Sequence, residues 1–321
     1  MATLPSSGSA SRLVTLIGGS GFVGAALTEA FARAGWRVLI VARNPARAER
    51  LKPLGDLGQI AAVRGDIRVP ASLEAPLAGA DLAVNLVGIL DEKGGQRFAE
   101  VQARGAGSAA AAAKAAGVAG FIHVSAIGAD PASPSAYGRT KGEGEALVRA
   151  AFPEAAIVRP SLIFGANDGF TNRFASLIAS APVVPVIAPG TRFQPVHVRD
   201  VAAAILAIAG RLMAGRPNGT WELGGPEVLT MRQIMAFIAE AIGKGDAPLV
   251  DVPDSGARLL ASLGFLPGAP LTQDQYLMLQ RDNVVSEGAA GFADLGITPV
   301  ALEATAPDWL ARYRRGGRFA A

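Results

Sequence analysis

Short runs of β-branched and other apolar residues alternate with Ala- and Leu-rich stretches through the first half of the chain. The runs predict strands over Leu13–Ile17, Arg37–Ala42, Ile60–Arg64, Leu82–Leu86, Gly120–Ser125 and Ala156–Arg159. The stretches between them predict helices over 22–34, 44–52, 71–78, 96–116 and 135–152. The strand candidates are apolar throughout, not alternating with polar residues, which is the pattern of parallel strands covered by helices on both faces. Beyond residue 161 the pattern loosens. Pro182, Pro185, Pro189 and Pro195 break the stretch 180–196, an apolar helix follows over Val198–Ala209, and a strand near Thr220–Leu223 leads through Gly224-Gly225-Pro226 into a helix over about 230–243. Leu259–Leu271 is strongly apolar but interrupted by Pro267 and Pro270, and a last helix is expected over about 300–314. The expected fold is α/β: a doubly wound parallel sheet over 1–160, then a smaller, irregular α/β C-terminal lobe over 161–321 that can return elements to the sheet.

Composition narrows the chemistry. The 321 residues are half hydrophobic and 18% charged, enough for a large core without covalent staples. There are no cysteines, which excludes a Cys nucleophile, a Cys-ligated zinc and an iron–sulfur cluster. Two distant histidines without a carboxylate cluster give no reason to expect a metal site. Net charge is +3 and basic residues are scattered, so nucleic acid is not the expected partner. The exception is the tail, where Arg312, Arg314, Arg315 and Arg318 crowd together. No stretch reaches the ~20 apolar residues of a membrane span, and residues 1–11 lack the apolar core of a secretory signal. A cytoplasmic protein is expected.

The first strand candidate runs directly into Gly18-Gly19-Ser20-Gly21-Phe22-Val23-Gly24 and then a helix, satisfying GxGxxG in the place where a dinucleotide-binding, Rossmann-type sheet carries it. The first glycine permits the tight turn, the middle one a close approach to pyrophosphate, and the last a close helix–sheet contact. The second strand candidate ends Val41-Ala42-Arg43-Asn44 with no acid to hold a ribose 2′-hydroxyl. Arg43 stands there instead and could fork onto a 2′-phosphate, with Arg47 a turn later, so NADP(H) is expected over NAD(H). Asp66-Ile67 after the third strand suits an adenine edge, and Asn85, Val87 and Gly88 at the end of the fourth would line the middle of the cofactor. Each could equally be an ordinary exit from a strand.

A strand ends at Ser125, and twelve residues on Tyr137 and Lys141 share one face of a predicted helix. A neighbouring ammonium would lower the Tyr137 pKa and make it a proton donor or acceptor for a carbonyl/alcohol couple, with Ser125 polarising the oxygen. The chain holds only three tyrosines, so the spacing is informative. His123 reads as a core residue with a satisfied ring, and His197 as a cap or brace for the helix after it.

The glycine loop, Tyr-x-x-x-Lys and Arg159-Pro160-Ser161-Leu162-Ile163-Phe164-Gly165 together resemble the extended and atypical short-chain dehydrogenase/reductases. Within them the chain looks closest to one branch, the nucleotide-binding accessory subunit of respiratory complex I (alpha-subcomplex subunit nine) and its bacterial relatives. The matching stretches are Val84–Leu90, His123–Ala129, Asn167–Phe174, Phe193–Val198, Leu271–Gln275 and Asp282–Val285. The resemblance implies NADPH held as a structural cofactor where the peripheral arm meets the membrane arm. Gly18, Ser20, Gly21, Phe22, Gly24, Arg43, Asp66, Asn85, Ser125, Tyr137, Lys141 and Pro160–Ile163 would surround it. It also implies a bacterial protein on the cytoplasmic face of the inner membrane, with complex I subunits as partners and anionic lipid within reach of the tail arginines. The Ser125–Tyr137–Lys141 set keeps a rival open: an active NADPH-dependent reductase, or an epimerase/dehydratase.

Overall fold

The structure is a computed structural model and describes residues 11–216, 219–264 and 271–317. Strands β1 (Leu13–Ile17), β2 (Arg37–Ala42), β3 (Ile60–Arg64), β4 (Leu82–Asn85), β5 (Gly120–Val124) and β6 (Ala156–Pro160) form one parallel sheet, completed by a strand from beyond residue 200. Between them run α1 (Phe22–Arg33), α2 (Ala71–Leu77), α3 (Gly105–Ala115) and α4 (Ala136–Ala151). Beyond β6 come β7 (Ile163–Phe164), α5 (Thr171–Ser180), β8 (Val184–Ile187), β9 (Arg192–Phe193), β10 (Val196–His197), α6 (Val198–Met213) and β11 (Thr220–Leu223). The order β11-β6-β5-β4-β1-β2-β3 makes the fold Rossmann-type, with its topological switch between β1 and β4. Every residue of β4 and β5 is buried, as two-sided burial requires.

Side-chain alternation divides the strands between two cores. Val14, Leu16, Val38, Ile40, Leu82, Val84 and Ile122 face α1 and α6, while Ile17, Val41, Ala83 and Phe121 face α2, α3 and α4. Each strand thus feeds both faces with period two. Since α6 and β11 lie beyond residue 160, the later chain supplies both a covering helix and an edge strand to the sheet.

The lobe continues with β12 (Leu229–Thr230), α7 (Met231–Ala241), β13 (Leu249–Val252), α8 (Asp254–Ser262) and α9 (Gln273–Leu279). Its core joins Phe164, Ile178, Val186, Ile234, Ile238 and Trp309. The α8–α9 pair has a separate small cluster of Ala257, Ala261, Leu271 and Tyr276.

Two expected helices do not form as such. Residues 44–52 make two 3₁₀ turns, Pro45–Arg47 and Glu49–Leu54; the prolines at 45 and 53 remove the donors an α-helix needs, and the Asn44 side chain accepts from Ala46 N–H instead. Residues 300–314 break into α10 (Leu302–Thr305), α11 (Pro307–Leu310) and a 3₁₀ turn, with Pro307 at the break. The expected 96–116 helix opens as a wide π turn, Ala99–Arg104, before α3. Of the apolar stretch Leu259–Leu271, Leu259 on α8 and Leu263 just after it are exposed, and Pro267 and Pro270 lie outside the described residues. No helix among the described residues is long and apolar enough to cross a membrane.

Candidate functional site

The glycine loop closes β1 at the switch point. Gly18 takes φ +82°, a left-handed turn that disfavours a side chain, and a Cβ there would also press on Val87. A Cβ on Gly24 would lie 2.2 Å from the Gly19 carbonyl oxygen, so the start of α1 can rest on the loop only with glycine there. Gly21 is the N-cap of α1 and no side chain caps that end. The first-turn N–H groups, including those of Phe22 and Val23, are therefore available to an anion. This cradle suits a pyrophosphate.

Arg43 is exposed at the end of β2, and its Nη1 donates to Gln96 Oε1 at 2.8 Å, which ties it to the loop after β4. Arg47 is exposed nearby. Arg50, which sequence reading passed over, donates from Nη2 to the Ser20 carbonyl at 3.4 Å and so reaches the glycine loop itself. Its only signal in sequence is a place one turn beyond Arg47. Asp66 is held by Arg68, which donates from its backbone N–H, Nε and Nη2; these bonds keep the Asp66 carboxyl below its usual range. Ile67 lies in the core beside Gly105.

Asn85 is fully buried. Its Oδ1 accepts from Val87 N–H at 3.1 Å, which turns Nδ2 toward His123 Nδ1, also at 3.1 Å. The sidedness of the amide thus makes Nδ1 an acceptor and places the imidazole proton on Nε2. The ring of His123 was expected to be satisfied, but it is so only at Nδ1; Nε2 has no partner. Burial first, and the Lys141 charge second, push the His123 pKa down to about 3.

Ser125 follows β5 with its Oγ buried and unpartnered. Lys141 lies nearby, donating from Nζ to the Val124 carbonyl at 3.2 Å beneath Gly88, where a Cβ would meet Nζ at 3.2 Å. Tyr137 is only partly buried, and its ring meets Phe98 edge-on, centroids 6.1 Å apart. The expectation that Lys141 lowers the Tyr137 pKa does not hold. Burial pushes Tyr137 up to about 12 and Lys141 down to about 8. The ammonium is directed at Val124 and its field falls on His123, so desolvation decides the phenol. At neutral pH these residues keep Tyr137 protonated, as a donor.

The lobe reaches this site twice. Asn283 accepts from Ser161 Oγ at both its carbonyl (2.8 Å) and its Oδ1 (2.7 Å), and donates from Nδ2 to the Ile127 carbonyl at 3.3 Å. It thereby joins the segment after Ser125 to the Pro160–Ile163 turn. Asp274 on α9 accepts from Ser135 Oγ–H, Ala136 N–H and Tyr137 N–H. Sequence reading quoted the stretches holding both residues without assigning either a role. A cavity of about 410 Å³ opens between the segment after β4 and the α8–α9 pair, lined in part by Leu90, Phe98, Ala261, Thr272 and Asp274.

His197 caps no helix with its side chain; it braces by packing its ring against Phe164 and Trp309, which also stack on each other. Arg312 donates to the Trp309 and Ala166 carbonyls and Arg314 to that of Ala241. Arg315 is exposed, and Arg318 lies outside the described residues.

Comparison with known proteins gives the family and the fold. Residues 14–224 match the model of the NAD dependent epimerase/dehydratase family. The chain is 34% identical over 318 residues to the mitochondrial NADH dehydrogenase [ubiquinone] 1 alpha subcomplex subunit 9 of Arabidopsis thaliana, covering 95% of this chain and 79% of that one. It is 33% identical over 259 residues to a ceramide reductase of Caulobacter vibrioides, covering 78% and 77%. A dTDP-glucose 4,6-dehydratase from Streptomyces venezuelae, solved with NAD and TYD bound, shares the fold at a TM-score of 0.72 and 18% identity over 96% of this chain and 98% of that one.

Proposed function

The chain belongs to the NAD dependent epimerase/dehydratase family, and from that premise we propose that it holds NADP(H) and serves as an accessory, structural subunit of respiratory complex I. The observation that carries the reading is the double attachment of the lobe to the dinucleotide crevice at Asn283 and Asp274. On this reading the lobe would carry the partner surface, and these contacts are what tie the lobe to the nucleotide fold. Both residues fall in stretches that resemble the complex I branch, and the similarity to the Arabidopsis subunit spans the lobe as well as the sheet. The proposed place is the junction of peripheral and membrane arms on the cytoplasmic face of a bacterial inner membrane. Contact with anionic lipid through the tail arginines is the minor part of the reading, since Arg312 and Arg314 already donate to internal carbonyls. The test is affinity purification of the native protein from membranes in mild detergent. Co-purified proton-translocating subunits with NADH:quinone reductase activity are expected; recovery as a partner-free soluble protein would overturn the role.

For the nucleotide, the uncapped α1 end would take the pyrophosphate and Arg43 the 2′-phosphate, while β2 ends without an acid for the 2′-hydroxyl. Arg43→Ala should weaken NADP(H) about 10- to 150-fold, the equivalent of losing a charged hydrogen bond worth ~1.5–3 kcal/mol, and leave NAD(H) affinity unchanged. Titration of both cofactors into both proteins measures this, and equal NADP(H) affinities would remove Arg43 from the site.

A second reading rests on one observation, the buried and unpartnered Ser125 Oγ. A structural site has no need of it. In an NADPH-dependent reductase, or an epimerase/dehydratase, Ser125 would hydrogen-bond a substrate oxygen to which the protonated Tyr137 donates, and the similarity to a ceramide reductase favours the reductase. When bound, the cofactor supplies hydride. Lys141 would hold its nicotinamide side of the crevice, and Tyr137 would move the proton.

A further inference from the structure

We propose that Asp274 is the positioning residue of the helix that carries Tyr137 and Lys141, so that docking of the lobe's α8–α9 pair sets Tyr137 against Ser125. The proposal rests on the reading of Tyr137 as a nicotinamide-facing residue. An α-helix begins with backbone N–H groups that lack partners within the helix. At α4 the first three are all met, by two side chains 139 positions apart in the chain. Asp274 Oδ1 accepts from Ala136 N–H at 2.5 Å and Oδ2 from Tyr137 N–H at 3.1 Å, while Ser135 Oγ accepts from Gly138 N–H at 3.2 Å. The Ser135 hydroxyl then donates its own proton to Asp274 Oδ2 at 3.0 Å. The cap that a serine ordinarily makes alone is here shared with a carboxylate 137 residues away from Tyr137. That carboxylate also carries the charge favoured at a helix N-terminus.

Two further facts make Asp274 a device of position. First, the bond is to the backbone N–H of Tyr137 itself, so moving α9 moves the residue that bears the phenol. Second, α8 and α9 share only a small cluster of their own and are braced to each other by the Tyr276 hydroxyl, which donates to Asp254 Oδ1 at 2.7 Å. The pair therefore meets α4 through α9, with Asp274 at the contact and also lining the 410 Å³ cavity. The start of α1 has no such cap, which fits one helix end left for a ligand and the other fixed by protein.

The experiment uses the full chain labelled with ¹³Cζ-tyrosine. Three tyrosines give three resonances, assigned with Tyr276→Phe and Tyr313→Phe. In Asp274→Ala, without nucleotide, amide exchange at Ala136–Gly138 should quicken about ten- to a hundredfold and the Tyr137 resonance should shift or split. Asp274→Asn keeps a capping oxygen but loses one acceptor and the charge; it should restore most of the exchange protection while the Tyr137 resonance stays displaced. If the Ala variant does not fold, the Asn variant alone carries the test. A Tyr137 resonance at its wild-type position in a folded Asp274 variant would overturn the proposal, whatever happens to the stability of α9. The underlying reading is judged separately, by whether NADP(H) shifts the same resonance in the wild type.

Discussion

Tyr137→Phe is expected to fold and to bind NADP(H) as the wild type does; if the protein is a reductase, carbonyl-reducing turnover should fall by a factor of ~10²–10⁴, the range for a general acid. The change removes one oxygen and little else. The ring keeps its edge contact with Phe98, and the bonds that fix the start of α4 run to the Tyr137 backbone, not to the phenol. What disappears is a proton donor whose pKa burial pushes up to about 12, on the helix that also carries Lys141, whose pKa burial brings down to about 8. Nucleotide titration, thermal melting and single-turnover oxidation of bound NADPH by a carbonyl probe measure the three parts separately. If the protein is an accessory subunit, its assembly into the respiratory complex in native membranes should not change. A folded, nucleotide-loaded Tyr137→Phe protein that fails to assemble would contradict both the structural and the enzymatic reading, and undiminished turnover would remove Tyr137 as the donor.

The contrast between what sequence revealed of the sheet and what it revealed of the site has a physical cause. Strands β1 to β6 are legible because two-sided burial leaves a local signature, an apolar run bounded by turn residues, and the glycine loop is legible because sterics demand glycine at 18 and 24. The helix expected over 44–52 was misread because helical composition does not show how prolines at 45 and 53 divide so short a segment. Spacing alone placed Tyr137 and Lys141 on one helix, and Lys141 reaches the Val124 carbonyl next to Ser125. It could not say which neighbour takes the ammonium. That depends on the Val124 carbonyl, which takes the ammonium, and desolvation rather than charge sets the direction of the phenol's shift. Asp274 and Asn283 are the extreme case: their partners lie more than a hundred residues away, and nothing local distinguishes a carboxylate that caps its own helix from one that caps another.

The second large effect concerns acid stability and His123. The imidazole is fully buried, bonded at Nδ1 to Asn85 and near the Lys141 ammonium, so a second positive charge is disfavoured and the folded-state pKa falls to about 3. The unfolded chain takes up that proton near pH 6.5. Above pH 6.5 neither state is protonated and the full stability is present. Between pH 6.5 and 3 the unfolded state binds more protons than the folded one, so stability falls as pH falls, by about 1.4 kcal/mol for each pH unit from this residue. The window does not overlap that of Lys141, whose lowered pKa acts between about 8 and 10.5. His123→Asn retains an amide that can pair with Asn85 and cannot titrate. Its urea midpoint should therefore decline less steeply than that of the wild type between pH 6.5 and 4. Carboxylates contribute the same slope to both proteins, so the difference isolates the imidazole. Parallel declines would show that His123 is protonated in the folded protein, and would place a second charge beside Lys141 where the geometry allows one.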